Sequence, residues 1–219
     1  MTDLADLWPL AALRVTCGDL ELRYLDESTL TALAQLAAEG IHDPDFMPFT
    51  GTWSRGTPTE VARSVLTFQW GKRAATTPDD WHLDLALVRG GEVLGVQGMM
   101  AKAYPVTRTA ETGSWLGRRH QGQGLGTRMR LMILHLLFEG LGAHEATTQA
   151  FADNAASNGV TRRLGYAENG VDIDPREGKA VLSNRYVLSL AAWQSRPEAH
   201  RLDVTLDGVG PAREFLGIV

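Results

Sequence analysis

The chain has 219 residues, 44% of them apolar and 21% charged, which suits one globular domain or one domain with an extension. A net charge near −5 and a pI near 5.7 argue against nucleic acid as a partner, which favours a basic face. A lone cysteine, Cys17, leaves no disulfide framework and no Cys-based zinc site.

The opening MTDLADLWPLAALRV is apolar but carries Asp3 and Asp6 and no basic flank, a poor signal peptide. No apolar run approaches the ~20 residues of a membrane span, so a cytoplasmic protein with no membrane partner is expected. Leu20–Leu25 alternates as a strand, and Ser28–Glu39 has the cap, period and Ala/Leu content of a helix. His42 to Pro58 is a loop by its prolines and glycines, yet it carries His42, Phe46, Met47, Phe49 and Trp53. It is either a wall of an acceptor pocket or a loop pinned to the core by its aromatics. His42, Asp43 and Asp45 beside Pro44 read as turn chemistry, and no metal is expected. Thr59–Lys72 reads as a second helix, with Val61, Val65, Phe68 and Trp70 roughly on one side. Trp81–Val88 alternates as a strand, Gly90-Gly91 makes a hairpin turn, and Val93–Met100 returns. Arg108–Leu116 follows as a strand, then a glycine loop, helix Leu125–Leu141, strand Ala146–Phe151, helix Ala155–Leu164 and strand Lys179–Leu190. This is an α/β (α+β) pattern with a mixed sheet. Beyond residue 194 lies an extension, 195–219, with Leu202–Leu206 as an extra strand. So apolar an ending packs on its own domain or on a second subunit of a homo-oligomer.

The stretch Arg118–Arg130, RRHQGQGLGTRMR, puts Gly122, Gly124 and Gly126 at alternate positions and runs straight into a helix. Glycines let backbone N–H groups close on a ligand, and a helix start adds orphan N–H groups and a positive dipole end. The stretch is either a phosphate cradle, with Arg118 and Arg119 at its rim, or a Gly-rich turn capping a helix. Thr127 and Met129 stand where a dinucleotide fingerprint needs its third glycine, and Thr127-Arg128 replaces the Lys-Ser/Thr of a P-loop. NAD and ATP are thereby disfavoured.

Arg119-x-x-Gly122-x-Gly124 resembles the Arg/Gln-x-x-Gly-x-Gly/Ala signature of the GNAT (Gcn5-related N-acetyltransferase) superfamily. Glu111-Thr-Gly-Ser-Trp-Leu116 is similar to the Glu-x-Gly-x-Trp-Leu strand of its RimJ/RimL-like, ribosomal-protein-alanine acetyltransferase branch. Asn154-Ala-Ala-Ser157 followed by Leu164-Gly165-Tyr166 resembles the Asn-x-x-Ser…Leu-Gly-Phe/Tyr ending of that branch. Three motifs in order across Glu111–Tyr166 are far more specific than one. More weakly, His42–Phe49, Asp79-Asp-Trp81 and a Val-Gln-Gly turn at Val96–Gly98 look like an actinobacterial group that includes a mycobacterial succinyltransferase.

The resemblance implies a GNAT fold, a mixed sheet flanked by helices with acyl-CoA wedged between two splayed central strands. It implies N-acyl transfer from acetyl-CoA, or succinyl-CoA, to the amine of a small molecule, peptide or protein, without a metal. Such chemistry needs a neutral amine, a stabilised oxyanion and a proton for the departing thiolate. By resemblance Glu111 is the base, and a desolvated Glu would have its pKa raised towards working pH. The usual Tyr position is Thr161 here, so Ser157 is the candidate to hydrogen-bond the sulfur, with Tyr166 as the alternative donor. Cofactor contacts fall to Trp115, Leu116, Gly117, Arg119, Gln121, Gly122, Gln123, Gly124, Leu125, Gly126, Thr127, Asn154 and Ser157. Acceptor contacts are expected from His42, Trp53 and Gln97. Arg55, Lys102, Arg108 and Gln97 are available to a carboxylated acyl end. His120 either touches phosphate or faces solvent, and His135 and His144 read as surface residues. The competing class is a non-catalytic acyl-CoA-binding or sensor module of the same fold.

Overall fold

Alternation along the central strands decides what covers each face. In Asp80–Arg89, Leu83, Leu85 and Leu87 point one way and Ala86 and Val88 the other, and all five are buried. A strand buried on both faces needs layers on both sides. The computed structural model describes residues 2–218 and supplies them. Its strands are β1 (Arg14–Cys17), β2 (Leu20–Tyr24), β3 (Asp80–Arg89), β4 (Glu92–Lys102), β5 (Thr109–Leu116), β6 (Glu145–Phe151), β7 (Ala167–Arg176), β8 (Lys179–Ser189) and β9 (Thr205–Asp207). They form one sheet in the order β7-β8-β6-β5-β4-β3-β2-β1-β9. Among the described pairings β5–β6 alone is parallel.

The helices are α1 (Leu4–Leu7), α2 (Glu27–Ala38), α3 (Pro58–Ala75), α4 (Tyr104–Thr107), α5 (Leu125–His135), α6 (Ala155–Arg163), α7 (Leu190–Gln194) and α8 (Val209–Phe215). On one face α2 and α3 pack Leu30, Leu33, Leu36, Val61 and Val65 onto Ala86, Val88, Val93 and Val96. On the other, α5, the N-terminal residues Leu10 and Leu13 and the tail residues Leu216 and Ile218 close over Leu83, Leu85, Leu87 and Met99. Both helices on the first face are capped by sequence: Asp26 accepts from the Thr29 N–H at 2.7 Å, and Thr57 and Glu60 form a capping box with Pro58 at the first turn.

Several expectations change. The α-helix ends at His135 and widens into a π-helical turn over Leu136–Gly140, with the Leu141 N–H on the Leu136 carbonyl. On α3 the inner side is Val61 and Val65, whereas Phe68 and Trp70 are exposed. His135 is buried, edge-on to Trp193 with ring centroids 4.9 Å apart and ion-paired to Glu139, because it lies on the core-facing side of α5. Val96–Gly98 lies inside β4 rather than in a turn. The tail packs on this chain's own sheet, where β9 pairs with β1.

Candidate active site

The parallel pair β5–β6 opens immediately after it forms. Backbone register runs only from Thr109↔Glu145 to Glu111↔Thr147. Beyond it two side chains take over: Thr112 Oγ1 donates to the Thr147 carbonyl at 3.1 Å, and Thr148 Oγ1 donates to the Thr112 carbonyl at 2.8 Å. Past them the strands splay, and the β5 edge facing β6 is left without a partner strand. Backbone polar groups of successive strand residues point to opposite edges. The Gly117 N–H is taken by Leu94 of the β4 hairpin arm, whereas the Thr112 carbonyl faces β6. Ser114 and Leu116 therefore turn their backbone into the cleft, while Trp115 and Gly117 turn theirs towards β4. This corrects the expected use of Trp115–Gly117: Leu116 and Ser114 carry the open edge. The Trp115 side chain packs instead on the α2/α3 layer, 5.9 Å from the Trp53 ring.

At the mouth of the cleft Gly122 (φ +73°) and Gly124 (φ +76°) adopt the left-handed conformation that glycine takes without cost, and a Cβ on either would meet open space. Gly124 is the N-cap of α5, and no side chain caps it, so the first-turn N–H groups of Leu125, Gly126 and Thr127 are offered outward. The remaining predicted cradle residues divide by role. Gln121 donates to the carbonyls of Ile41 and Leu116 (2.7 and 2.9 Å) and Gln123 to that of Arg119 (2.9 Å), so both amides brace the loop. Arg119 is ion-paired to Glu39 and to Glu92 (3.1 Å), and Arg118 to Asp43 (3.6 Å). These exposed pairs contribute little, roughly 0–1 kcal/mol, and can exchange for an anion. They border a recess of about 340 Å³ between Leu36, Gly40 and the rim arginines. His120 sits beside Glu92 at 3.5 Å, and burial outweighs that carboxylate and lowers its pKa.

Where the strands part, Glu111 projects onto the α2/α3 face. It is half-buried, and desolvation pushes its carboxyl above the ordinary range, opposed by the His82 charge and reinforced by Asp174. Register places His82, Met100 and Glu111 in one row across β3, β4 and β5, and Asp84, Gly98 and Gly113 in the next. A side chain at Gly98 would collide with the Asp84 carboxylate, whereas a Cβ at Gly113 would meet open space. The floor beside Glu111 is thus a bare strip of backbone. Its wall is the loop 42–57: Phe49 lies 5.0 Å from Trp53, and His42 6.0 Å from Phe49. The loop is tied across the splay to the β7–β8 hairpin by the Arg55–Glu177 ion pair (2.9 Å) and by Arg176, whose guanidinium lies over Phe46 (5.6 Å) and Phe151 (4.7 Å).

Two expected acceptor contacts are otherwise engaged. His42 spends both ring nitrogens on its own loop, against the Asp43 carbonyl (2.7 Å) and Ser54 Oγ (2.8 Å). Gln97 is fully buried on the α5 face, donating to the carbonyls of Gly98 and Gly113. Its Oε1 accepts from Arg130 at 3.4 Å. On the far strand, Asn154 caps α6 by accepting from the Ser157 N–H at 3.1 Å, and the Ser157 hydroxyl is without a partner among the described residues. Thr161 and Tyr166 are buried, Thr161 at 1% exposure, and the Tyr166 hydroxyl has no hydrogen-bond partner among the described residues.

Three residues escape a reading of the sequence. Arg130, 4% exposed, reaches from α5 into the closed end of the splay and meets only neutral acceptors: Gln97 Oε1, Thr148 Oγ1 (3.3 Å) and Ser114 Oγ (3.2 Å). Its signal was a charge inside the buried run Met129–Phe138. His82 and Asp84 looked like the solvent side of an alternating strand, yet Ala86 and Val88 on the same side betray a covered face.

A sheet opened between two parallel central strands, with an uncapped, glycine-entered helix at the mouth and a desolvated carboxyl at the fork, defines a class of acyl-CoA-dependent N-acyltransferases. Residues 19–167 match the family described as Acetyltransferase (GNAT) domain, and the chain belongs to that family. Among solved structures it is similar to Mycobacterium smegmatis RimJ in complex with CoA-disulfide, at 21% identity and TM-score 0.70 over 88% of this chain and 92% of that one. It is similar also to RimL, a ribosomal L7/L12 alpha-N-protein acetyltransferase in complex with coenzyme A (22%, TM-score 0.64, 82% and 99%). A spermidine N-acetyltransferase SpeG chimera from Vibrio cholerae and hSSAT matches at 15% and TM-score 0.65, over 82% and 100%. At these identities the likeness is one of fold. Among the described residues no helix is long and apolar enough to cross a membrane.

Proposed function

We propose that the protein moves an acyl group from CoA to a primary amine by direct attack, with Glu111 as the base. The observation that carries this reading is the coincidence of the β5–β6 fork with Glu111, whose carboxyl is raised by burial. The pyrophosphate would lie on Gly122–Thr127 and the pantetheine amides along the Ser114 and Leu116 backbone. An amine is an ammonium near neutral pH, with a reference pKa of about 10.4 for lysine, and must lose a proton before it attacks. Glu111 takes that proton, the nitrogen adds to the thioester carbonyl, and collapse of the tetrahedral intermediate breaks the C–S bond. Ser157 donates a hydrogen bond to the departing sulfur. Removing the base should cost about 10²–10⁴ in rate. In Glu111→Gln, kcat should fall by at least a hundredfold with acetyl-CoA affinity nearly unchanged. An unchanged rate would remove Glu111 from the mechanism, and no turnover on any amine by the wild type would favour an acyl-CoA-binding module.

Acetyl-CoA is the working donor. Arg130 supports succinyl-CoA as a second: a buried guanidinium with no carboxylate partner is costly, and an anionic acyl end would relieve it. Of the other cations, Arg55 is paired with Glu177, and Lys102 is exposed at the end of β4 beside Asp80.

A further inference from the structure

We propose that His82, held by Asp84, is a proton relay behind Glu111; the inference rests on the reading of Glu111 as the base. His82 Nε2 lies 3.0 Å from Asp84 Oδ1, and the other Asp84 oxygen accepts from Gln69 Nε2 on α3. The carboxylate fixes the proton of the neutral ring on Nε2 and leaves the Nδ1 lone pair free. Nδ1 is buried and has no hydrogen-bond partner among the described residues. A buried polar atom left unpaired costs free energy and calls for a reason. Asp84 in turn lies over β4 only because residue 98 is glycine.

The chemistry supplies the reason. An ammonium substrate loses two protons on becoming an amide, one before attack and one from the tetrahedral nitrogen, and only one of them ends on the CoA sulfur. A single carboxylate that has accepted the first proton cannot accept the second. His82 and Glu111 share one row of the sheet, two strand spacings or about 10 Å apart at Cα, and the His82 charge acts on the Glu111 carboxyl. The first proton passes from the ammonium to Glu111 and through a bridging water to His82 Nδ1, giving an imidazolium stabilised by Asp84. Glu111, again a carboxylate, takes the second proton and returns it to the thiolate. The imidazolium then discharges to solvent, which accounts for the one proton released per turnover. The charged and titratable groups around this pair are Asp84, Glu111, Asp174, Tyr24, Arg73 and Lys72, the last over the Phe68 ring that touches His82 edge-on.

His82→Gln keeps an N–H donor for Asp84 and removes the titrating ring. The expected result is a kcat at least tenfold lower, an unchanged KM for acyl-CoA, and an acid limb of the rate profile moved to higher pH, because a positive charge that lowers the Glu111 carboxyl is gone. If kcat and the limb both stay at wild-type values while Glu111→Gln remains inactive, the dyad only clips α3 to β3 and the relay is wrong. If Glu111→Gln is itself active, the underlying reading fails instead. ¹⁵N NMR of the wild-type imidazole, independent of any variant, should show the Nε2–H tautomer; an Nδ1–H tautomer would overturn the relay.

Discussion

The two sides of the β5–β6 cleft are built from different materials. On the proposed cofactor side the groups presented are backbone: the edge of β5, the first turn of α5, and glycines that keep side chains away. On the proposed acceptor side they are side chains from three separated stretches, namely His82 and Asp84 on β3, Glu111 and Trp115 on β5, and the loop that carries Phe49 and Trp53. Backbone geometry needs a few glycines at fixed spacing and so constrains a short stretch of sequence. Side-chain geometry depends on register across the sheet, and the same groove can be relined without touching the cradle. On the proposed assignment of the two sides, binding the donor and choosing the acceptor are separable properties.

The change that should break this separation most severely is Gly124→Val. A left-handed φ costs an ordinary L-residue about 1–2 kcal/mol and is a genuine outlier for a β-branched one, and the new side chain would occupy the anion path. Acyl-CoA affinity should drop by ten- to a hundredfold in a calorimetric titration, with kcat at saturation much less affected. Gly98→Ala should do the reverse. Its methyl group displaces the Asp84 carboxylate, so kcat should fall about tenfold while the acyl-CoA Kd holds. A milder signature lies in pH. As the proposed base Glu111 works as a carboxylate, and its pKa is raised by burial, so kcat/KM should climb with pH through a midpoint above that of an ordinary Glu, and this limb should vanish in Glu111→Gln. The smallest effect is expected from Arg55→Ala, which cuts the exposed tie to Glu177. Such a pair is worth roughly 0–1 kcal/mol, so the amine KM should rise a few-fold with Tm nearly constant.

The same contrast explains what the sequence disclosed. Gly122 with Gly124, and Asn154 with Ser157, are each close in sequence and bound to local backbone chemistry, so the glycine turn before α5 and the cap of α6 were legible. The core strands were legible from alternation. β7 was passed over because most of its residues are exposed, leaving Val171 and Ile173 in the open and no buried face to produce a pattern. β1 is four residues long and too short for a period. Trp115 and Gln97 were placed near the cleft, but which edge or face each presents depends on strand parity, and that is set only when β4 pairs with β5. His82 comes into one row with Glu111 solely through two inter-strand registers, information that no local window contains.

The central claim is that a CoA thioester lies in the β5–β6 fork with its pyrophosphate on the glycine-entered helix. Calorimetric titration of the wild-type protein with acetyl-CoA, succinyl-CoA and free CoA tests it most directly. The account predicts saturable one-to-one binding of all three, with succinyl-CoA favoured where Arg130 engages its carboxylate. Absence of heat and of any thermal shift with all three would contradict it.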